Sequence, residues 1–299
     1  MAGFLGAGIL GIALAVPGCR LPQPQPSSLE QLVVPSVTGR QAMMDSARMI
    51  YQSVAYHFEE EQAGPDGKWA PTGTAGDVNS YGYGSGVCVS NDDHESYFIT
   101  AYHVVSPFED EQIASHPFLP LRRRFVKTSE TLGLVTAYRL HAGELVYETI
   151  PLEIAAHSDN DIALVRANQR VEARAIHRLG TASIGETIYG VGYRAFPESE
   201  LPSLVLNERL LKSFDIGYVK SLGDPLDPSD DHIAYISMNT QAGNSGGPVF
   251  NARGDLIGIR AHAFMLPLAP VEDMINATAI RTFLDSSGYT RLLRARPRS

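Results

Sequence analysis

The sequence predicts an all-β protein, and three observations carry that prediction. Hydrophobic residues make up 44% of the 299 residues and charged residues only 19%. That balance supplies a sizeable core and excludes disordered or fibrous architectures. The 27 glycines and 19 prolines slightly exceed the average combined usage of about 12%, which favours frequent turns. From Tyr81 onward, short apolar runs alternate with Gly- and Asn-rich turns, the pattern of a sandwich or barrel.

Taken in order, the chain opens on Ala2 to Val16, almost wholly small or apolar, with no charged side chain before Arg20. About fifteen such residues fall short of the roughly twenty that span a bilayer, so residues 1–18 read as a secretory signal. Ala15-Val16-Pro17-Gly18-Cys19 resembles a bacterial lipoprotein cleavage site, which makes Cys19 the candidate lipid-bearing residue. Pro17 and the missing basic residue depart from that pattern, and an uncleaved anchor or a misassigned start is the alternative. The expectation is an exported protein, periplasmic or extracellular, tethered to a membrane if Cys19 is lipidated. Residues 19–45 form a tether that opens on a Pro-rich stretch, Leu21 to Ser28, extended and solvated.

A helix is expected over Arg40 to Tyr56, where Met43, Met44, Ala47, Ile50 and Tyr51 recur at helical spacing. Its end, Ser53 to Phe58, reads alternatively as the first strand. Glu59 to Ser80, acidic and rich in Gly and Pro, reads as a long loop. Strands are expected at Gly86–Ser90, Tyr97–Thr100, Leu132–Leu140, Leu145–Ala156 and Asp161–Arg166. A second set covers Thr187–Tyr193, Phe214–Ser221, His232–Ser237, Gly247–Asn251 and Leu256–Ala263. A final helix, Asn276 to Ser286, carries Ala277, Ile280, Phe283 and Leu284 on one side. The Arg122-Arg123-Arg124 run and the basic tail, residues 288–299, read as solvated surface.

The net charge of −9 leaves no basic footprint for nucleic acid. Two cysteines, Cys19 and Cys88, exclude a disulfide framework and a thiolate zinc cluster. Cys88 lies in an apolar run and reads as a buried, inert thiol. No clustered His/carboxylate pattern points to a metal, and no organic cofactor is implied.

Three segments are informative together: Phe98 to Val105, containing Thr100-Ala101-Tyr102-His103; His157 to Val165, containing Asp161-Ile162-Ala163-Leu164; and Gln241 to Phe250, containing Gly243-Asn244-Ser245-Gly246-Gly247-Pro248. Acyl transfer needs a hydroxyl nucleophile, an imidazole to take its proton, and a carboxylate to hold that imidazole. The segments supply these in the order His, Asp, Ser. They resemble those of trypsin-like, chymotrypsin-fold serine peptidases, most closely bacterial glutamyl endopeptidases of the V8 type and HtrA-type peptidases, over about residues 50 to 285. Subtilisin-like and α/β-hydrolase triads run in other orders.

The resemblance implies two six-stranded antiparallel β-barrels, residues 46–170 and 171–287, with a cleft between them and a short C-terminal helix. It implies His103 as general base, Asp161 as its orienting carboxylate with Asp159 the competing choice, and Ser245 as nucleophile. The backbone N–H groups of Gly243 and Ser245 would form the oxyanion hole, and a polypeptide would be the substrate. In trypsin-like zymogens a newly cut amino terminus pairs with an aspartate just before the nucleophile. Asn244 stands there, so activation without cleavage is expected. Asn239, Thr240, Arg260 and His262 are the candidate substrate-binding residues. Arg260 would pair an acidic side chain at the residue before the scissile bond, unless it turns outward from a strand edge. No PDZ-like domain follows, so regulation of the HtrA kind is not implied. The rival readings are a non-catalytic binding or sensor protein on the same fold, and a membrane-tethered structural protein whose Gly-rich segments are turns.

Overall fold

In the computed structural model, residues 35–141, 144–194, 212–223, 231–239, 241–266 and 269–293 are described. The signal, Cys19 and Thr240 lie outside them. Ser36 caps the first helix, α1 (Val37–Ser46), by accepting a hydrogen bond from Gly39 N at 3.1 Å. At Ala47 the chain changes to extended backbone and becomes β1 (Ala47–Ala63). The expected helix over Arg40 to Tyr56 is therefore half strand. Ile50, Gln52, Val54 and Tyr56 are buried in alternation, a period of two that only a strand provides.

The expected loop Glu59–Ser80 is instead a long hairpin. β1 turns over near Asp66 and Gly67 and pairs antiparallel with β2 (Trp69–Asn91). The chain continues through β3 (Ser96–Ala101), a one-turn helix α2 (Tyr102–Val105), β4 (Glu111–Ser115), β5 (Leu121–His141), β6 (Glu144–Pro151), β7 (Glu153–Ser158) and β8 (Ile162–Ala167). These eight strands form one curled sheet, ordered β4-β5-β1-β2-β3-β8-β7, with β6 paired to β5. Leu152 alone separates β6 from β7, and its N–H donates to Leu132 O at 3.0 Å. The chain thus passes from the β5 edge to the β8 edge within one residue, and β4 is an added edge strand. The Arg122–Arg124 run lies in register with Glu59, Glu60 and Glu61 of β1. Its surface role is therefore cross-strand ion pairing, with Arg122 Nε on Glu61 and Arg124 on Glu111.

The second half is a closed barrel of β9 (Thr187–Tyr193), β10 (Lys212–Leu222), β11 (Ile233–Ser237), β12 (Pro248–Phe250), β13 (Leu256–Leu266) and β14 (Ala269–Asn276), in the order β10-β11-β14-β13-β12-β9. β14 has no counterpart among the strands expected from the sequence. The closing helix α3 (Ala277–Ser286) is capped by Asn276, whose side chain accepts from Ala279 N at 3.0 Å.

Several strands are buried on both faces, which is why they read as continuous apolar runs. Cys88, Phe98, Ala163 and Val165 fill the first sheet's interior, while Ile188, Ile236, Val249 and Ile257 fill the second barrel. The alternate residues Val87, Val89, Ile99, Leu164, Tyr189, Val191 and Leu256 form a seam between the halves. Ile280, Phe283 and Leu284 of α3 cover that seam. Each such side chain contributes about 1.5–3 kcal/mol when fully buried. Cys88 is wholly buried, and that burial pushes its thiol up to about 12, as expected for an inert side chain.

Candidate active site

His103 arrives on α2, the single turn at the end of β3. Val104 and Val105 point inward and anchor the turn, so His103 faces solvent. Tyr102 steadies it from behind: its N–H donates to Asp161 O at 2.9 Å, and its ring stacks on His157 at 4.3 Å. Asp161 sits at the head of β8 with φ +57°, the only described non-glycine residue in the left-handed region. Asp and Asn tolerate that conformation better than other side chains. From there its carboxylate grips His103 twice. Oδ1 accepts from the backbone N at 2.8 Å, and Oδ2 lies 2.7 Å from ring Nδ1. Burial pushes the Asp161 carboxyl up, but the side-chain and backbone hydrogen bonds from His103 outweigh it and hold the group below its ordinary 3.8. Asp159 is exposed two residues away, and none of the described contacts joins it to His103.

Ser245 lies on the tight loop between Met238 and β12, where Gly243 and Gly246 take φ values of +90° and +77°. The serine is partly exposed, and its hydroxyl donates to Ala261 O at 3.2 Å. The next residue, His262, stacks on His103 with ring centroids 5.1 Å apart. The residue that holds the serine hydroxyl is thus the chain neighbour of the histidine stacked on His103.

Ser85, absent from the residues expected at the site, joins the two halves at this point. Its N–H donates to Ser245 O at 2.7 Å and its Oγ to Gly243 O at 2.8 Å. The same Oγ accepts from Tyr193 N at 2.9 Å, and Ser85 O accepts from Thr100 Oγ1 at 2.7 Å. A serine between two glycines on a strand, Gly84-Ser85-Gly86, was the only available signal.

With the fold, the carboxylate–imidazole pair and the serine loop in place, one comparison is decisive. The family model described as the trypsin-like peptidase domain matches residues 84–259, more than half of the chain and all three of His103, Asp161 and Ser245. The chain belongs to this family. A search of the curated proteins finds no match. The trypsin-like fold expected from the sequence is present, with one closed six-stranded barrel and one curled sheet.

Within this peptidase domain, the candidate substrate-binding residues part company. Asn239 is exposed, just beyond Met238. His262 is half-exposed over the cleft. Its Nε2 lies 3.8 Å from Asp161 Oδ2, and its Nδ1 is 3.5 Å from Asp273 Oδ2. Arg260 neither turns outward nor offers a free guanidinium, since it is 1% exposed and paired with Asp215 at 3.0 Å. The reason lies in partners remote in sequence, Asp215 on β10 and Glu272 on β14. An open groove of about 590 Å³ adjoins His103, walled by Tyr81, Tyr83, Phe108, Glu109 and Gln112. His103, Asp161 and His262 bring ligand atoms within 4.8 Å of one another, with His103 Nδ1 and Asp161 Oδ2 engaged in their mutual hydrogen bond.

Beneath the loop, Glu272 is 3% exposed, and neither carboxylate oxygen makes a hydrogen bond among the described residues. Burial pushes its carboxyl from 4.5 to about 7, with Arg260 pulling it down and Asp215 and Asp273 pushing it further up. A raised folded-state value means stability fully present below pH 4.5 and lost as pH climbs through about 7. Over that interval the loss is about 3 kcal/mol. Glu272→Gln is expected to remove most of this slope, read by urea unfolding at pH 5 and pH 8. An unchanged slope would show that Glu272 stays ionised.

Proposed function

We propose that the protein is a serine endopeptidase that hydrolyses peptide bonds through an acyl-enzyme. The observation that carries the reading is the double grip of Asp161 on His103, ring and backbone together, in the same site as a partly exposed serine on a glycine-rich loop. In this mechanism Ser245 Oγ swings from Ala261 O toward His103 Nε2, gives up its proton and attacks the scissile carbonyl carbon. The hydroxyl–base contact is often loose without substrate. The oxyanion is held by the N–H groups of Gly243 and Ser245, where each donor is worth about 10²–10³ in rate. His103 returns the proton to the leaving amine, and water then releases the acyl group by the same steps. Asp161 keeps the Nδ1 proton in place and stabilises the imidazolium. Export, and a lipid on Cys19, complete the proposal on the strength of the apolar leader.

The non-catalytic reading draws on one observation, the Ser245 hydroxyl resting on Ala261 O. A fluorophosphonate probe separates the two. The wild-type chain is expected to be labelled at Ser245 and to cleave peptides, and Ser245→Ala to do neither. A wild-type chain that resists the probe would favour the binding protein.

A further inference from the structure

Loop residues 243–247 are costly to order. Two of the five hold positive φ and three are glycines, the residue type that loses most conformational freedom on folding. Something outside the loop must hold it. The backbone of Arg260 clamps one end, with Gly246 N donating to Arg260 O at 2.8 Å and Arg260 N to Gly247 O at 2.9 Å. The side chain of Arg260 then returns beneath the loop.

There it meets Asn244, which is wholly buried. With its amide oriented to suit its neighbours, Asn244 Oδ1 accepts from Arg260 Nη1 at 2.7 Å and from Gln241 N at 3.1 Å. The other end of the amide lies beside Ser213 Oγ, 3.4 Å away. The guanidinium is anchored in turn on the barrel wall. Nη2 donates to Asp215 Oδ2 at 3.0 Å, and Nε faces Glu272 Oε1 at 3.6 Å. Asp215 also takes hydrogen bonds from Ser213 Oγ at 2.9 Å and Arg194 Nη2 at 3.2 Å.

We infer that Arg260 is a positioning residue that holds the oxyanion loop ready-formed, acting through Asn244 and anchored by Asp215. This deepens the hydrolytic reading and rests on it. The donor that fixes the residue before the nucleophile is a side chain of the folded barrel, so on this inference no new amino terminus has to be liberated. The same geometry removes Arg260 from direct substrate recognition, because both of its terminal nitrogens are already committed inside the protein.

Removing the guanidinium takes the facing cation from buried Glu272 and one of three donors from Asp215, so the primary variant is Asn244→Leu, of similar size, which leaves the Arg260–Asp215 pair intact. Asn244→Asp, which restores an acceptor, and Arg260→Lys complete the set. Each full-length variant is assayed on fluorogenic peptides carrying Glu, Ala or Leu before the scissile bond. Amide hydrogen exchange over residues 241–247 is followed in parallel. Asn244→Leu is expected to lower kcat about 100-fold on all three peptides, with KM little changed and exchange faster in this loop alone. Asn244→Asp is expected to recover most of the rate. Intact kcat and unchanged exchange in Asn244→Leu would overturn the inference. So would an Arg260→Lys defect confined to KM on the Glu peptide. If the wild-type chain neither cleaves peptides nor takes the phosphonate, the hydrolytic reading fails, and the exchange measurement alone decides whether Asn244 and Arg260 hold the loop.

Discussion

Asp161→Asn is expected to lower kcat about 10⁴-fold with little change in melting temperature. The left-handed backbone at φ +57° suits Asn as well as Asp, so the turn into β8 survives, and a carbonyl oxygen can still accept from His103 N. The defect falls on the ring. An amide N–H facing Nδ1 obliges the imidazole to carry its proton on Nε2, where it can no longer accept the one from Ser245. Asp161→Ala would confuse the result by adding backbone strain. The check is steady-state kinetics with a thermal melt. A fall of less than tenfold with the fold intact would show that the carboxylate does not orient His103.

Gly246→Ala is expected to destroy the seam between the halves. A Cβ there would fall 2.1 Å from Thr100 Oγ1, 2.2 Å from Ser85 O and 2.9 Å from Ala101 N. Two of these are backbone atoms, and the third is a buried hydroxyl already bonded to Ser85 O, so none can yield cheaply. The φ of +77° adds its own strain. A loss above about 4 kcal/mol follows, in the range reserved for severe core lesions. Gly185→Ala is the control. It has φ +80° but no atom within 4 Å of the added carbon, and should lose only about 1–2 kcal/mol. Urea unfolding of both variants separates collision from backbone strain, and equal losses would show that the Gly246 contact is soft.

Local pattern made much of this legible. His103, Asp161 and Ser245 sit in short runs whose neighbours announce their chemistry, and the strands around them are apolar on both faces. The failures are equally physical. The buried amide of Gln52 interrupts the apolar alternation of β1, so Met43, Ala47 and Ile50 passed for one helical stripe although the helix stops at Ser46. The outer β1–β2 hairpin is largely exposed and gains order from pairing and from glutamates set against arginines, neither of which leaves a periodic trace. Glu272 and Asp273 interrupt the apolar run of β14, which hid the strand. Arg260 could not be placed because its partners lie 45 residues before and 12 residues after it in the chain.

Ser85 has a consequence for how this molecule would fail. Its amide and hydroxyl rivet the Ser245 loop of the rear half to a strand of the front half, so that loop bears the first effects of any hinge-like gaping. Heat inactivation would then follow the parting of the halves, with each still wound up, ahead of the melting that circular dichroism records.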